Sequence, residues 1–143
     1  MARVEKSIVV NASVEKVFAF ASDPANLPSI WPALEQVTNV TPEANGGSSS
    51  DYVYNMGGMR FSGHNEAIEF VPNARVATRS KSGIESTVTF TFAPESGGTR
   101  VTFLAEYIVP VPLLGKIAEV LLARQNEQQA ETLLANLKAK MEA

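Results

Sequence analysis

The sequence predicts an α+β fold, a curved antiparallel sheet followed by one long C-terminal helix. Six strand-like segments follow one another between Leu34 and Val109, and each gap between them carries turn residues. A seventh segment, Arg3–Val10, precedes them, and two short helical segments lie in between. From Leu113 to Met141 the only strong breaker is Gly115, which predicts a helix on the order of 40 Å long. A curved sheet closed by a single helix tends to enclose space, so the chain reads as a container for an apolar small molecule.

The elements follow in order. In Arg3–Val10, Val4, Lys6, Ile8 and Val10 share one face. Asn11 or Ser13 can cap a short helix by accepting from an orphan backbone N–H. Val14, Val17, Phe18 and Ala21 then recur at helical spacing. Asp23-Pro24 repeats the start signal, with a capping carboxylate before proline. Ile30-Trp31-Pro32 ends that second helix, because proline pushes its predecessor out of the helical region.

The meander begins at Leu34–Thr41, and Asn45-Gly46-Gly47 turns into Tyr52–Met56. Gly57-Gly58 supplies the positive φ of a tight hairpin into Met59–Phe70. Pro72-Asn73 leads to Val76–Lys81, and Ser82-Gly83 to Glu85–Phe92. There Ser86, Val88, Phe90 and Phe92 alternate with Glu85, Thr87, Thr89 and Thr91, a half-buried strand. Ser96-Gly97-Gly98 opens Thr99–Val109, with Val101, Phe103, Ala105 and Tyr107 on one face and Glu106 on the other. Met59–Phe70 breaks the rule: Met59 and Phe61 are apolar on one parity, Ile68 and Phe70 on the other. Either a bulge near Gly63 exchanges the faces, or one end of the strand is exposed.

The terminal helix has an apolar face at both ends, Ile117, Val120 and Leu121 early and Leu133, Leu134, Leu137 and Met141 late. Its middle is polar, and Arg124, Gln125 or Gln128 falls on the inner face. A helix on a solid core keeps an apolar inner stripe, so solvent or a partly polar cavity lies opposite.

Composition sets the outer limits. A length of 143 residues fits one domain, 1–143. Apolar residues make up 45% and charged residues 19%, enough for a core without disulfides. The net charge of −3, the pI of about 5.2 and the lack of a basic run give nucleic-acid binding no support. With no cysteine, disulfides, thiol catalysis and cysteine-ligated zinc are excluded. A cytoplasmic location is expected, since MARVEKSIVV has no apolar core for a signal peptide. The longest apolar stretch, Ile108–Leu122, is interrupted by Pro110, Pro112, Lys116 and Glu119, and so is unsuited to spanning a bilayer.

The segment VEKSIVVNASVEKVFAFASDPANLPSIWPALEQV, with Ala12-Ser13, Val17-Phe18, Asp23-Pro24, Asn26 and Trp31, resembles the opening of START-like (SRPBCC) proteins. These are the polyketide cyclase/dehydrase and lipid transport group. The close matches too, with Gly98-Thr99-Arg100-Val101, a proline-containing joint, Leu137-Lys138 and Met141-Glu142. The resemblance covers almost the whole chain. It implies a helix-grip fold, a seven-stranded antiparallel curved sheet wrapped around the long C-terminal helix, with two short helices after strand one. Members hold lipids, sterols, polyketides or plant metabolites, and a few are cyclases or hydrolases. Fold by itself does not fix function.

Among candidate reactive groups, His64 is the only histidine, with Glu66 and Arg60 at nearby same-face positions. A His64–Glu66 pair in a pocket would move protons; on a strand's outer face the two are solvated and idle. One histidine, no cysteine and scattered carboxylates give no metal-ligand spacing and imply no cofactor. No G-x-S-x-G occurs. The expected cavity wall comprises Trp31, Tyr54, Phe61, Val88, Phe90, Phe103 and Tyr107 from the sheet side, and Ile117, Leu121, Arg124 and Gln128 from the helix. The joint Val109–Gly115, stiffened by two prolines, either gates access or simply connects, and its apolar residues allow a transient membrane contact.

Three functions stay open. The first is binding, with transport or sequestration, of a hydrophobic or amphipathic small molecule. The second is a cyclase/dehydratase with His64 and Glu66 as proton carriers and Arg124 or Tyr107 steadying an enolate. The third is a protein-interaction module that assists assembly. The oligomeric state is not encoded in any of these features.

Overall fold

The computed structural model describes residues 1–110 and 115–143. The elements are β1 (Ala2–Val10), α1 (Val14–Ala21), a 3-10 helix (Pro24–Ser29), β2 (Leu34–Pro42), β3 (Ser48–Met56), β4 (Met59–Val71), β5 (Arg75–Ser80), β6 (Ser86–Glu95), β7 (Gly98–Tyr107) and α2 (Lys116–Glu142). The strands form one antiparallel seven-stranded sheet in the order β1-β7-β6-β5-β4-β3-β2. The sheet curves around α2, a helix-grip arrangement. β2 to β7 are a plain meander. β1 and β2 lie at opposite edges, so α1 and the 3-10 helix carry the chain across the sheet.

Local chemistry sets these boundaries. Ser13 caps α1 by accepting from the Lys16 N–H at 3.3 Å. Asp23 accepts from the Ala25 N–H at 3.0 Å and Pro24 opens the next turn. That turn is 3-10 rather than α; Pro28 lies inside it and has no N–H to donate.

The expected bulge in β4 exists, but not at Gly63. The register slips between Ala67 and Glu69, which leaves Ile68 exposed and returns Phe70 to the inner side. Gly63 has another role. It lies directly across from Tyr52, and a Cβ there would come within 2.5 Å of the Tyr52 ring and 2.4 Å of the Ser82 carbonyl oxygen. The missing side chain lets the Tyr52 hydroxyl reach the β5–β6 connection. That hydroxyl sits 2.8 Å from Ser80 Oγ, donates toward the Ser82 carbonyl at 3.0 Å and accepts from the Ile84 N–H at 3.1 Å. It ties β3 to a connection two strands away.

The core runs as a row of edge-to-face aromatic pairs. Tyr54 meets Trp31, Trp31 meets Phe103, and Phe103 meets Phe90, at centroid distances of 5.6, 5.3 and 5.3 Å. Phe18 continues the row against Phe92 and Phe70. Leu133, Leu134, Leu137 and Met141 of α2 are buried in the same core.

Polar bonds pin the C-terminal half of α2. Asn136 donates to the Ile30 carbonyl at 2.9 Å, Lys138 to the Val9 carbonyl at 3.1 Å, and Lys16 to the Met141 carbonyl at 2.7 Å. Glu142 accepts from the Asn11 N–H at 2.7 Å. The N-terminal part is bound far less: Ile117, Val120 and Leu121 are exposed, and Leu122 is its buried anchor. Residues 111–114, most of the joint read as either a gate or a plain connector, lie outside the described residues.

Tyr52→Phe leaves the buried Ile84 N–H without its acceptor and is expected to cost about 1–3 kcal/mol. Gly63→Ala forces the Tyr52 ring aside and is expected to cost a similar amount by overpacking. Urea unfolding should show both as a lower midpoint at unchanged slope.

Candidate ligand cavity

The inner faces of the strands change size along their length, and this change makes room. On β6 the inner residues shrink from Phe92 and Phe90 to Val88 and Ser86. On β7, Phe103 is followed by Ala105, which lies across from Val88. Thr78 on β5 and Ser48 and Ser50 on β3 are small as well. The helix changes in the same direction, from Leu137 and Leu133 to Ala130, Gln129 and Asn126. Small side chains thus face small side chains, and a cavity remains between α2 and the sheet. It offers about 110 Å³ to the centres of water-sized molecules, several times what a single water needs.

Its wall is mostly apolar. Val4, Leu34, Met56, Val76, Val88, Phe90, Phe103 and Ala105 contribute, with Leu27 and Trp31 from the segment between α1 and β2. Among the described residues the wall contains no Asp, Glu, Lys, Arg or His. Uncharged polar groups are set among these apolar ones. Asn126 Nδ2 donates to the Tyr107 hydroxyl at 2.6 Å, and Gln129 Oε1 accepts from the Ala33 N–H at 2.9 Å. Burial pushes the Tyr54 phenol up to about 12, against a smaller opposing pull from the Trp31 N–H. The Tyr107 phenol is raised too, mainly by burial. Both phenols therefore stay protonated at neutral pH. Trp31 Nε1 is buried and has no hydrogen-bond partner among the described residues.

Of the residues expected in the wall, Trp31, Tyr54, Val88, Phe90, Phe103 and Tyr107 lie in it. Phe61 does not. It is half-buried against the core, across from Tyr54 and close to the Gly57-Gly58 turn, but it does not border the cavity. On the helix, Ile117, Leu121, Arg124 and Gln128 are exposed and absent from the wall. They form one self-consistent stripe, but the buried stripe is the neighbouring one: Leu122, Asn126, Gln129/Ala130 and Leu133. The difference is one residue, about 100° around the helix. Stepping backwards from Leu137 and Leu133 by three and four would have found Ala130 and Asn126, whereas the early apolar cluster pointed to the wrong stripe.

The candidate proton carriers take the outward of the two placements the sequence allows. Inner residues of β4 are Phe61, Gly63, Asn65 and Ala67, which puts His64 and Glu66 on the outer face, both exposed. The His64 ring pairs with Asp51 at 2.8 Å, not with Glu66, and Glu66 lies across from Arg79. The Asn39 amide and the His64 ring together hold the Asp51 carboxyl below its usual range. This is an outer cross-strand pair, separated from the cavity by the sheet. Arg124 is likewise outside, so of the two enolate-steadying candidates only Tyr107 reaches the cavity.

Comparison with known proteins gives the family and agrees on the fold. A family profile described as "Polyketide cyclase / dehydrase and lipid transport" matches residues 1–142. No curated protein matches the chain. Among solved structures, the Zhui aromatase/cyclase from Streptomyces sp. R1128 superposes with a TM-score of 0.80 at 16% identity, over 99% of this chain and 93% of that one. A START superfamily protein from Mycobacterium smegmatis gives 0.77 at 19% identity, over 98% and 97%. A protein of Thermus thermophilus gives 0.76 at 25% identity, over 99% and 97%. No described helix is long and apolar enough to cross a membrane.

The elevated Tyr54 phenol predicts two measurable effects. Absorbance titration at alkaline pH should show one of the three tyrosines ionising near 12, and Tyr54→Phe should remove that step. Because the folded value exceeds the ordinary one of 10.0, the associated stability is complete below pH about 10 and is lost as pH rises through about 12. Wild type should therefore lose more stability than Tyr54→Phe across that window in alkaline denaturation.

Proposed function

The chain belongs to the polyketide cyclase/dehydrase and lipid transport family, and from that premise we propose that it binds a hydrophobic or amphipathic small molecule in the cavity between sheet and α2. The observation that carries this reading is a hollow of about 110 Å³ with a mostly apolar, uncharged wall. Ligand sites are typically of this kind, apolar with a few polar groups that fix orientation. Burying apolar ligand surface supplies roughly 25 cal/mol per Å² of gross driving force, from which the cost of immobilising the ligand is subtracted. Transport or sequestration needs no more than this. Non-catalytic binding is favoured over turnover because no titrating acid–base pair faces the cavity, among the described residues. A fold-level likeness to an aromatase/cyclase adds nothing against this, since it concerns the scaffold alone.

The neutral dye 1-aminoanthracene should bind wild type with enhanced emission and quench Trp31, the sole tryptophan, by energy transfer. Ala105→Phe places a ring in the hollow beside Val88 and should weaken dye binding at least about tenfold while the circular dichroism stays unchanged. His64→Ala, on the outer face, should bind within about twofold of wild type. Undiminished dye binding in Ala105→Phe would place the dye elsewhere and refute the reading. Native mass spectrometry of freshly purified protein is expected to show a bound species that Ala105→Phe loses.

A further inference from the structure

One buried donor in the cavity wall is left without a partner among the described residues. Trp31 is 8% exposed, and its Nε1 is a donor with no partner among the described residues. Indole N–H can only donate. The Tyr107 hydroxyl already accepts from Asn126, so its own hydrogen remains to be placed. Gln129 spends its carbonyl on the Ala33 N–H, which leaves its NH₂ as the group turned to other partners. Tyr54 adds a hydroxyl to the same wall, and its ring is in edge contact with the Trp31 ring. The Trp31 and Tyr54 rings meet edge to face at 5.6 Å, so these two groups share one part of the wall. A buried donor left unmade costs about 1–3 kcal/mol. A ligand that brings an acceptor recovers that loss on binding.

Charge narrows the choice further. No cation lines the cavity among the described residues. A carboxylate or phosphate placed there would be desolvated without a counter-charge, which is strongly unfavourable. The same environment already resists a negative charge on Tyr54, whose phenol it pushes up to about 12.

Building on the binding function proposed above, we infer that the ligand is an uncharged, largely apolar molecule whose ketone or ester carbonyl oxygen accepts hydrogen bonds from Trp31 Nε1 and the Tyr54 hydroxyl. The carbonyl is held where Trp31 meets Tyr54, and the apolar body extends toward Val88 and Ala105. A carbonyl oxygen has two lone pairs and so takes both of these donors at once.

Three probes of matched size separate the alternatives: 2-acetylnaphthalene, 2-ethylnaphthalene and 2-naphthoate. The ketone should bind wild type about tenfold more tightly than the hydrocarbon, the yield of one or two hydrogen bonds, and naphthoate should bind weakest. Because the chain has one tryptophan, its ¹H–¹⁵N spectrum has a single indole signal. That N–H should move downfield with the ketone relative to the hydrocarbon. Tyr54→Phe should reduce the ketone preference at least about threefold and leave hydrocarbon affinity within twofold. Trp31→Phe should act likewise, and if that variant does not fold, the indole shift and Tyr54→Phe carry the test.

Equal affinity for ketone and hydrocarbon in wild type would overturn the inference, as would a preference untouched by Tyr54→Phe with no indole shift, or tightest binding of naphthoate. In each of these cases continued binding of 1-aminoanthracene leaves the cavity function standing. Loss of all three probes together with the dye would overturn that function itself.

Discussion

The attachment of α2 at one end governs the rest of the structure. Leu133, Leu134, Leu137 and Met141 seat its C-terminal half in the aromatic core, while Lys16, Asn136 and Lys138 bind backbone carbonyls around it. A helix is stiff over its 27 residues, so fixing one half fixes the height of the other above the sheet. There the side chains on both sides are short. Had the helix been free to settle, a gap between apolar walls would close, since packing contacts are lost across any void. The cavity persists because the rod is held at its far end, with Leu122 as the buried anchor at the near one.

The Tyr52 strut performs a related service for the sheet. Curvature separates the ends of neighbouring strands, and a hydrogen-bond ladder alone does not fix how sharply a sheet bends. The Tyr52 hydroxyl reaches the Ser80–Ile84 connection across the space that Gly63 leaves open. Tyr52 also borders the cavity, so the residue that ties β3 to that connection forms part of the wall. Stability and cavity shape are thereby coupled through a single side chain.

Much of this was legible in the sequence. Period-two alternation in residues 85–92 and 99–107 fixes which side chains face inward, and the register confirms Phe90, Phe103, Val88 and Tyr107 on the inner side. Ser13 and Asp23 as caps follow from hydrogen-bonding capacity alone. Two things were less legible. The helix carries two plausible apolar stripes 100° apart, and only the tertiary seat of the leucines decides between them, so Asn126 and Gln129 replaced Arg124 and Gln128. The bulge in β4 shifts the faces at Ile68, and nothing local distinguishes that position from Gly63. His64 drew attention because histidine titrates near neutral pH, but parity within Phe61–Ala67 places it outside. Chemical aptitude carried no information about direction.

The sheet is open, and an open sheet has two edges at which a foreign strand can dock. Here each edge is spoiled in its own way. On β2 the pairing slips twice, between Leu34 and Gln36 and between Thr38 and Thr41, and Pro42 withholds a donor at its end. On β1 the Val9 carbonyl is taken by Lys138, and the Asn11 N–H just beyond the strand by Glu142. Irregular or occupied edges resist intermolecular β-pairing. The same bonds that seat the terminal helix thus guard one border of the sheet against self-association, so losing Lys138 and Glu142 together would both loosen the helix and bare that border.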